Sequence, residues 1–215
     1  MSFSNGPTTI TNGLVLALDA ADKNSYPGSG TSWFDLSGNN NTGTLTNGPT
    51  FNSGNGGSIV FDGANDYINL GNPSTLNILN FSVCLWARSS TFTNFQNIIF
   101  KGTNVAQYGI IFTSTGDWYV QPNGPSTSDL VSLNTWNYFV GTYNGSQITA
   151  YRNGVQKIQY NNSQANYGTL VTIGADTVNN RYFNGNISLV QIYNRALSAS
   201  EILQNYNATK TRFGL

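Results

Sequence analysis

The sequence predicts an all-β protein, a sandwich or a barrel, and three observations carry that prediction. Short runs of period-two or continuous apolar character recur between clusters of Gly, Asn, Pro and Ser, as they do when many short strands are joined by turns. Asn, Thr, Ser and Gly dominate the non-apolar positions, and these residues suit turns and exposed strand faces better than helix interiors. Two Asn-Gly steps, Asn144-Gly145 and Asn153-Gly154, each separate β-rich segments, and Asn-Gly suits the positive φ of a tight hairpin.

Taken in order, the clearest strands are 14–19, 58–62, 66–70, 81–88, 97–101, 108–113, 117–121, 136–143, 147–152, 155–159, 170–174 and 187–193. The two Asn-Gly turns make a meander of 136–143, 147–152 and 155–159. The stretch 22–57 is rich in Gly, Ser, Asn and Thr, with Trp33, Phe34, Leu36 and Phe51 as its few anchors, and is longer than a simple connection. It reads as an ordered excursion over the sandwich. Ser198-Ala199-Ser200-Glu201 forms a capping box, and Ile202, Leu203 and Tyr206 then give one apolar stripe, so one short C-terminal helix follows.

The 215 residues suit one domain, 1–215, with a core of about 13–206 and short terminal arms; no linker or internal repeat divides them. Hydrophobic residues make up 39% of the chain and charged ones only 8%, against roughly 25% charged in ordinary soluble proteins, so neutral polar groups must cover the surface. Nine basic residues balance nine acidic ones, which offers no field for nucleic acid or an anionic membrane. No apolar run is long enough to span a bilayer, and Met1 to Pro7 lacks the basic and apolar regions of a secretory signal. The expectation is a soluble, complete chain that inserts in no membrane and, if it works outside a cell, leaves without its own signal peptide.

Four blocks carry a family resemblance: Asp35-Leu36-Ser37-Gly38-Asn39 continuing to Leu45; Ile59-Val60-Phe61-Asp62-Gly63 continuing to Ile68; Trp136 to Val155, with its Tyr-Asn-Gly turn and Tyr-Arg-Asn-Gly-Val; and Phe183-x-Gly185-x-Ile187 leading to Ile192-Tyr193-Asn194-Arg195-Ala196-Leu197-Ser198 and Glu201-Ile202. Together they resemble the laminin-G-like members of the concanavalin A-like lectin and glucanase superfamily. The resemblance implies an antiparallel two-sheet jelly-roll sandwich, and it implies calcium at a loop rim, for which Asp35, Asn40, Asp62 and Asp66 are the candidate oxygen ligands. The alternative for the same residues is turn formation: Asx-turns at Asp35 and Asn40, and a hairpin cap at Asp62 with Gly63.

Glycoside hydrolysis usually needs two carboxylates flanking the scissile bond, and this chain has one glutamate, Glu201, already engaged by the helix cap. Asp62 and Asp66, the closest aspartate pair on adjacent strands, could serve as acid and base, which keeps a glycoside hydrolase as a remote alternative. With no histidine the usual general base of serine and cysteine hydrolases is missing, and Cys84, inside a strand, reads as a small buried hydrophobe. The expectation is that the protein is not an enzyme.

Sugar binding needs exposed rings to stack on pyranose faces, and Tyr108, Trp118, Tyr119 and Tyr182 are the candidates. Alternation separates Trp118 from Tyr119, with Trp118 toward the core. Trp86 and Trp136 read as packing residues, and Trp33 as a pin for the 22–57 excursion. Two functions follow: a structural protein of a virus particle, such as a phage capsid-decoration or tail protein that binds host glycans, and, as the alternative, a free carbohydrate-binding, lectin-like adhesion module. The first is favoured by the missing signal, the domain standing almost alone and the charge-poor surface. Partners are then glycans or virion proteins, and the site of action is the virion or the cell exterior. Low charge density suits a homo-oligomer, although no heptad specifies one. The segments 2–12 and 209–215 are the most open to docking on a partner.

Overall fold

The structure, a computed structural model, describes residues 7–102, 106–122, 124–163 and 169–215. It contains the predicted sandwich. One sheet orders β13 (Val155–Asn161), β12 (Gln147–Arg152), β11 (Asn137–Tyr143), β7 (Phe81–Ser89), β17 (Asn184–Tyr193), β5 (Ser58–Asp62) and β4 (Thr50–Asn52), with β1 (Leu14–Asp19) also on β17. The other orders β10 (Trp118–Gln121), β9 (Ala106–Phe112), β8 (Gln96–Gly102), β14 (Val171–Ile173), β6 (Tyr67–Asn69), β3 (Gly43–Thr46) and β2 (Ser32–Trp33). We call them sheets A and B; the strand pairs in both are antiparallel. A small ribbon of β15 (Ala175–Asp176) and β16 (Arg181–Tyr182) packs beside β8.

Alternation along the strands explains the layers. In β7, Phe81, Val83, Leu85 and Ala87 point between the sheets, where they meet Ile98, Ile110, Phe112, Trp118 and Phe139. Cys84 and Trp86 point the other way, onto a second apolar cluster with Tyr138, Val140, Tyr193, Ile202 and Phe213. That cluster lies under α1 (Ala199–Thr209), whose start is the expected box: Ser198 Oγ accepts from Glu201 N, and Ser198 N donates to Glu201 Oε2. Because both faces of β7 and β11 are covered, their sequences are continuous apolar runs rather than alternating ones.

Several expectations change. The helix buries Ile202, while Leu203 is 46% exposed and Asn205 takes the inward position, donating to Tyr193 Oη and accepting from Ile10 N. The segment 209–215 is not a free arm: Phe213 stacks on Trp86 with ring centroids 4.1 Å apart, so the core extends past residue 206. Of the arm 2–12, residues 2–6 lie outside the described residues, while Ile10 packs against the same cluster. In 22–57 Trp33 is fully buried and Phe51 packs on Tyr26, but Phe34 and Leu36 face solvent. Strands β2, β3 and β4 also form there; at two to four residues each they leave no periodic signal to read.

The turns follow local chemistry. Asn153 and Gly154 both take positive φ, 52° and 78°, the requirement of a two-residue hairpin. At the other hairpin only Gly145 does, and the Asn144 carboxamide oxygen closes a three-residue loop by accepting from Ser146 N and Gln147 N. The Asp62–Gly63 turn is not a hairpin at all: β5 belongs to sheet A and β6 to sheet B, so the turn carries the chain across the sandwich.

Candidate functional site

The outer faces of the two sheets differ: the crevices around the β15–β16 ribbon, one on sheet B and one at the end of the sandwich, are lined by no charged side chain among the described residues, whereas a crevice of about 230 Å³ on the outer face of sheet A, between Leu14, Ala17, Leu36, Leu189 and Thr209, includes Asp19. On sheet B, β9 and β10 alternate so that Tyr108, Ile110 and Phe112, with Trp118 and Val120, enter the core. Gln107, Gly109, Ile111, Tyr119 and Gln121 therefore line the outer face, and in β8 a bulge between Asn97 and Ile99 shifts the alternation to add Asn97 and Phe100. In β14, Thr172 points outward between core residues Val171 and Ile173, and its hydroxyl donates to Ala175 O at 2.6 Å, which seats the β15–β16 ribbon.

The turn of that ribbon, residues 177–180, stands between two crevices. Asp176 shapes it by accepting from Val178 N, Asn179 N and Asn179 Nδ2. On one side lies an open crevice of about 290 Å³ against sheet B, with Phe100, Gly102 and Thr172 as its base and Asn72, Thr169, Leu170, Thr177 and Val178 as walls. None of these residues is charged. On the other side, at the end of the sandwich, a smaller cleft of about 80 Å³ is lined by Gly63, Thr91, Thr93, Asn94, Phe95, Gln96, Asn180, Tyr182 and Asn184. Its base is held by Gln96 Nε2 donating to Thr91 O, Asn184 N donating to Gln96 Oε1 and Asn184 Nδ2 donating to Asp62 O. Phe95 is 44% exposed at its rim, with the Arg181 guanidinium carbon 5.4 Å from its ring centroid.

The structure splits the ring candidates. Tyr182 lines the cleft, and Tyr119 lies half-buried on the outer face; its hydroxyl is pushed up by burial and pulled back by the positive field of Arg181. Tyr108 and Trp118 are corrected: both are fully buried between the sheets, Tyr108 against Phe81 and Trp118 edge-on to Phe139, where no ligand ring can reach them. Phe95, Phe100 and the 177–180 turn are the elements missed. The signal was available in 176–180, a polar run between two strands, and in Phe95 at the end of a Ser/Thr/Asn loop.

The calcium candidates are not brought together either. Asp35 accepts from Ala17 N, Ser37 N, Ser37 Oγ and Asn41 N, so its oxygens are already surrounded by donor hydrogens, the reverse of what a cation needs. Asp66 lies at the opposite end of β3, beside Asn47, roughly 10 Å away across four strand residues. There Asp66 Oδ2 accepts from Asp62 N, and Asp62 Oδ1 accepts from Ala64 N and Asn65 N. Burial first, and the Asp62 charge second, raise the Asp66 carboxyl against the lowering effect of that hydrogen bond. Asn40 is exposed at φ 58°. Among the described residues no three His, Cys, Asp or Glu side chains converge as a metal site, and the four residues as placed do not fit one cation.

Comparison with known proteins now adds to this geometry. A laminin-G-type family model described as the concanavalin A-like lectin/glucanases superfamily matches residues 62–203. No curated protein matches by sequence. Among solved structures, the chain is similar to the binding domain of Paraclostridial Mosquitocidal Protein 1, at a TM-score of 0.73 and 17% identity over 92% of this chain and 52% of that one. It is similar to Trypanosoma rangeli sialidase, at a TM-score of 0.71 and 14% identity over 93% of this chain and 33% of that one. It is also similar to domain 4 of a GH43 extracellular arabinanase from Geobacillus stearothermophilus in complex with arabinotriose, at a TM-score of 0.67 and 19% identity over 90% of this chain and 98% of that one. The chain thus spans about half of the first of these and a third of the second. At these identities the likeness is one of fold, a lectin-type sandwich of carbohydrate-active proteins. It nevertheless overturns one expectation: the fold occurs here within a sialidase and an arabinanase, which are glycosidases, so the firm exclusion of an enzyme is withdrawn.

Proposed function

Since the chain belongs to the concanavalin A-like lectin/glucanases superfamily, we propose that it binds glycans as a lectin-like adhesion module, through the crevices on either side of the 177–180 turn. The carrying observation is the crevice on sheet B: about 290 Å³, close to the lower end of ligand clefts at roughly 300 Å³, with Phe100 in its base, Leu170 and Val178 beside Asn72, Thr169 and Thr177 in its walls, and no charged side chain among the described residues that line it. Sugars present that same mixture, apolar C–H faces edged by neutral hydroxyls. The neighbours support this reading over a part in a virus particle, since they are a toxin's binding domain, a sialidase and an arabinanase domain that holds arabinotriose. A module of this kind acts outside the cell.

The test is a glycan array read beside titration with arabinotriose as a neutral probe, on wild type and on Val178→Trp. Val178 is 48% exposed on the crevice wall, so the larger ring fills the crevice without entering the core. Wild type is expected to bind at least one glycan, with affinity falling tenfold or more in the variant. A blank array for wild type overturns the proposal, and undiminished binding of every bound neutral glycan by Val178→Trp overturns the crevice on sheet B as their site.

A further inference from the structure

The basic residues of this chain are mostly neutralised or anchored. Arg152 and Lys157 share Asp129, Arg195 holds Glu201, and Arg212 holds Asp19. Arg88 donates to Asn186 Oδ1 over the Trp136 ring, and Lys101 is buried against Leu76 O and Asn77 Oδ1. Arg181, Lys23 and Lys210 differ: among the described residues none of the three has an ion pair or a side-chain hydrogen bond, and of the three Arg181 is the guanidinium, in contact with the face of Phe95 as Lys210 is with Tyr206. The carboxylate across the strand pair from Arg181 is committed elsewhere: Asp176 takes three N–H donors of its own turn. A guanidinium held on a ring face keeps its in-plane N–H fork unspent, and that fork matches a carboxylate.

Arg181 does not line the cleft itself but meets its rim at Phe95, between the lining residues Asn180 and Tyr182, and the cleft supplies donors of the neutral kind. Thr93, Asn94 and Asn180 are exposed at the rim, and their side chains make no hydrogen bond among the described residues, while Phe95 and Tyr182 supply ring surface. From this juxtaposition we infer that the cleft at the end of the sandwich is specific for acidic sugars, with Arg181 taking the carboxylate of a uronic or sialic acid and Phe95, Asn94 and Asn180 taking the sugar ring beside it. This deepens the glycan-binding reading and rests on it.

Matched pairs that differ only in the carboxylate test it: methyl glucuronide against methyl glucoside, and methyl galacturonide against methyl galactoside, together with N-acetylneuraminic acid, by titration at low salt. The acidic member is expected to bind at least fivefold more tightly than its neutral partner, and the ratio is expected to shrink as salt rises to 0.5 M. Arg181→Gln is expected to bring the ratio to about one, and Arg181→Lys, which keeps the charge and loses the fork, to leave it in between. Melting curves for both variants establish that they fold. A ratio near one in wild type, or an unchanged ratio in folded Arg181→Gln, overturns the inference while leaving neutral-glycan binding standing. If no sugar of either kind binds, the glycan reading fails and this inference with it.

Discussion

The two outer faces of the sandwich have solved the same problem in opposite ways. Sheet A is sealed over β7 and β11: α1 and the turn that follows it lay Ile202, Tyr206 and Phe213 on Trp86, Tyr138 and Val140, and Trp86 Nε1 is satisfied by Thr209 Oγ1, while beside β1 a crevice of about 230 Å³ remains. Sheet B carries a small ribbon beside β8, seated by the Thr172 hydroxyl on Ala175 O, and its outward residues include the polar Asn97, Gln107, Gln121 and Thr172. An apolar seal stabilises and, where it lies, admits nothing. A polar cover with gaps contributes less stability and leaves room for a ligand.

Three measurements probe that contrast, and the largest effect belongs to the sealed face. Trp86→Ala removes a fully buried ring stacked on Phe213 and Tyr206, and about 3–5 kcal/mol of stability should go with it, read from denaturant midpoints. A loss below about 1 kcal/mol would show that the helix is not a seal.

A smaller effect lies inside sheet B, where Lys101 is fully buried with its ammonium on two oxygens and no carboxylate. Burial lowers its pKa from 10.5 to about 8. Between those values the unfolded chain holds more protons than the folded one, so folding becomes more favourable as pH rises. The stability of wild type minus that of Lys101→Met should therefore climb from pH 8 toward pH 10, by about 2–3 kcal/mol at most. The difference is the quantity to plot, because Cys84, raised to about 12 by burial, pulls wild type and variant alike the other way above pH 9. A flat difference curve contradicts the buried-ammonium account. The smallest effect is expected on the open face, where Phe95→Ala should leave the melting midpoint within about 0.5 kcal/mol of wild type in stability.

Much of the sealed side was legible. The capping box at Ser198 and Glu201, the continuous apolar runs of β7 and β11 and the Asn153-Gly154 turn are local signals, each set by residues within a few positions of one another. The open side was not. Tyr182 was picked out as a ring beside a strand, but its neighbours Thr91, Asn94 and Phe95 come from a loop some ninety residues earlier, and nothing in either segment announces the other. Asp35 stayed open between a cation site and an Asx-turn for a related reason, and its bond from Ser37 N is that of the turn. Oxygen-rich loops look alike whether their oxygens await a cation or are filled by N–H groups, and two of the four donors here come from Ala17 and Asn41, outside the motif's first three residues. Tyr108 and Trp118 were named as surface rings because composition offered them, although alternation already placed Trp118 inward.

The sealed face also gathers the two ends of the described chain. Ile10 N donates to Asn205 Oδ1, Tyr193 Oη to Ile10 O, and Gln204 Nε2 to Thr8 O, so the segment near residue 9 and the final helix lie together on the outer face of sheet A, opposite the crevice on sheet B. Whatever is fused or tethered at either point, a dye, a bead or a second module, is therefore held behind the molecule, and an immobilised layer of this protein presents the crevice on sheet B outward to the solution.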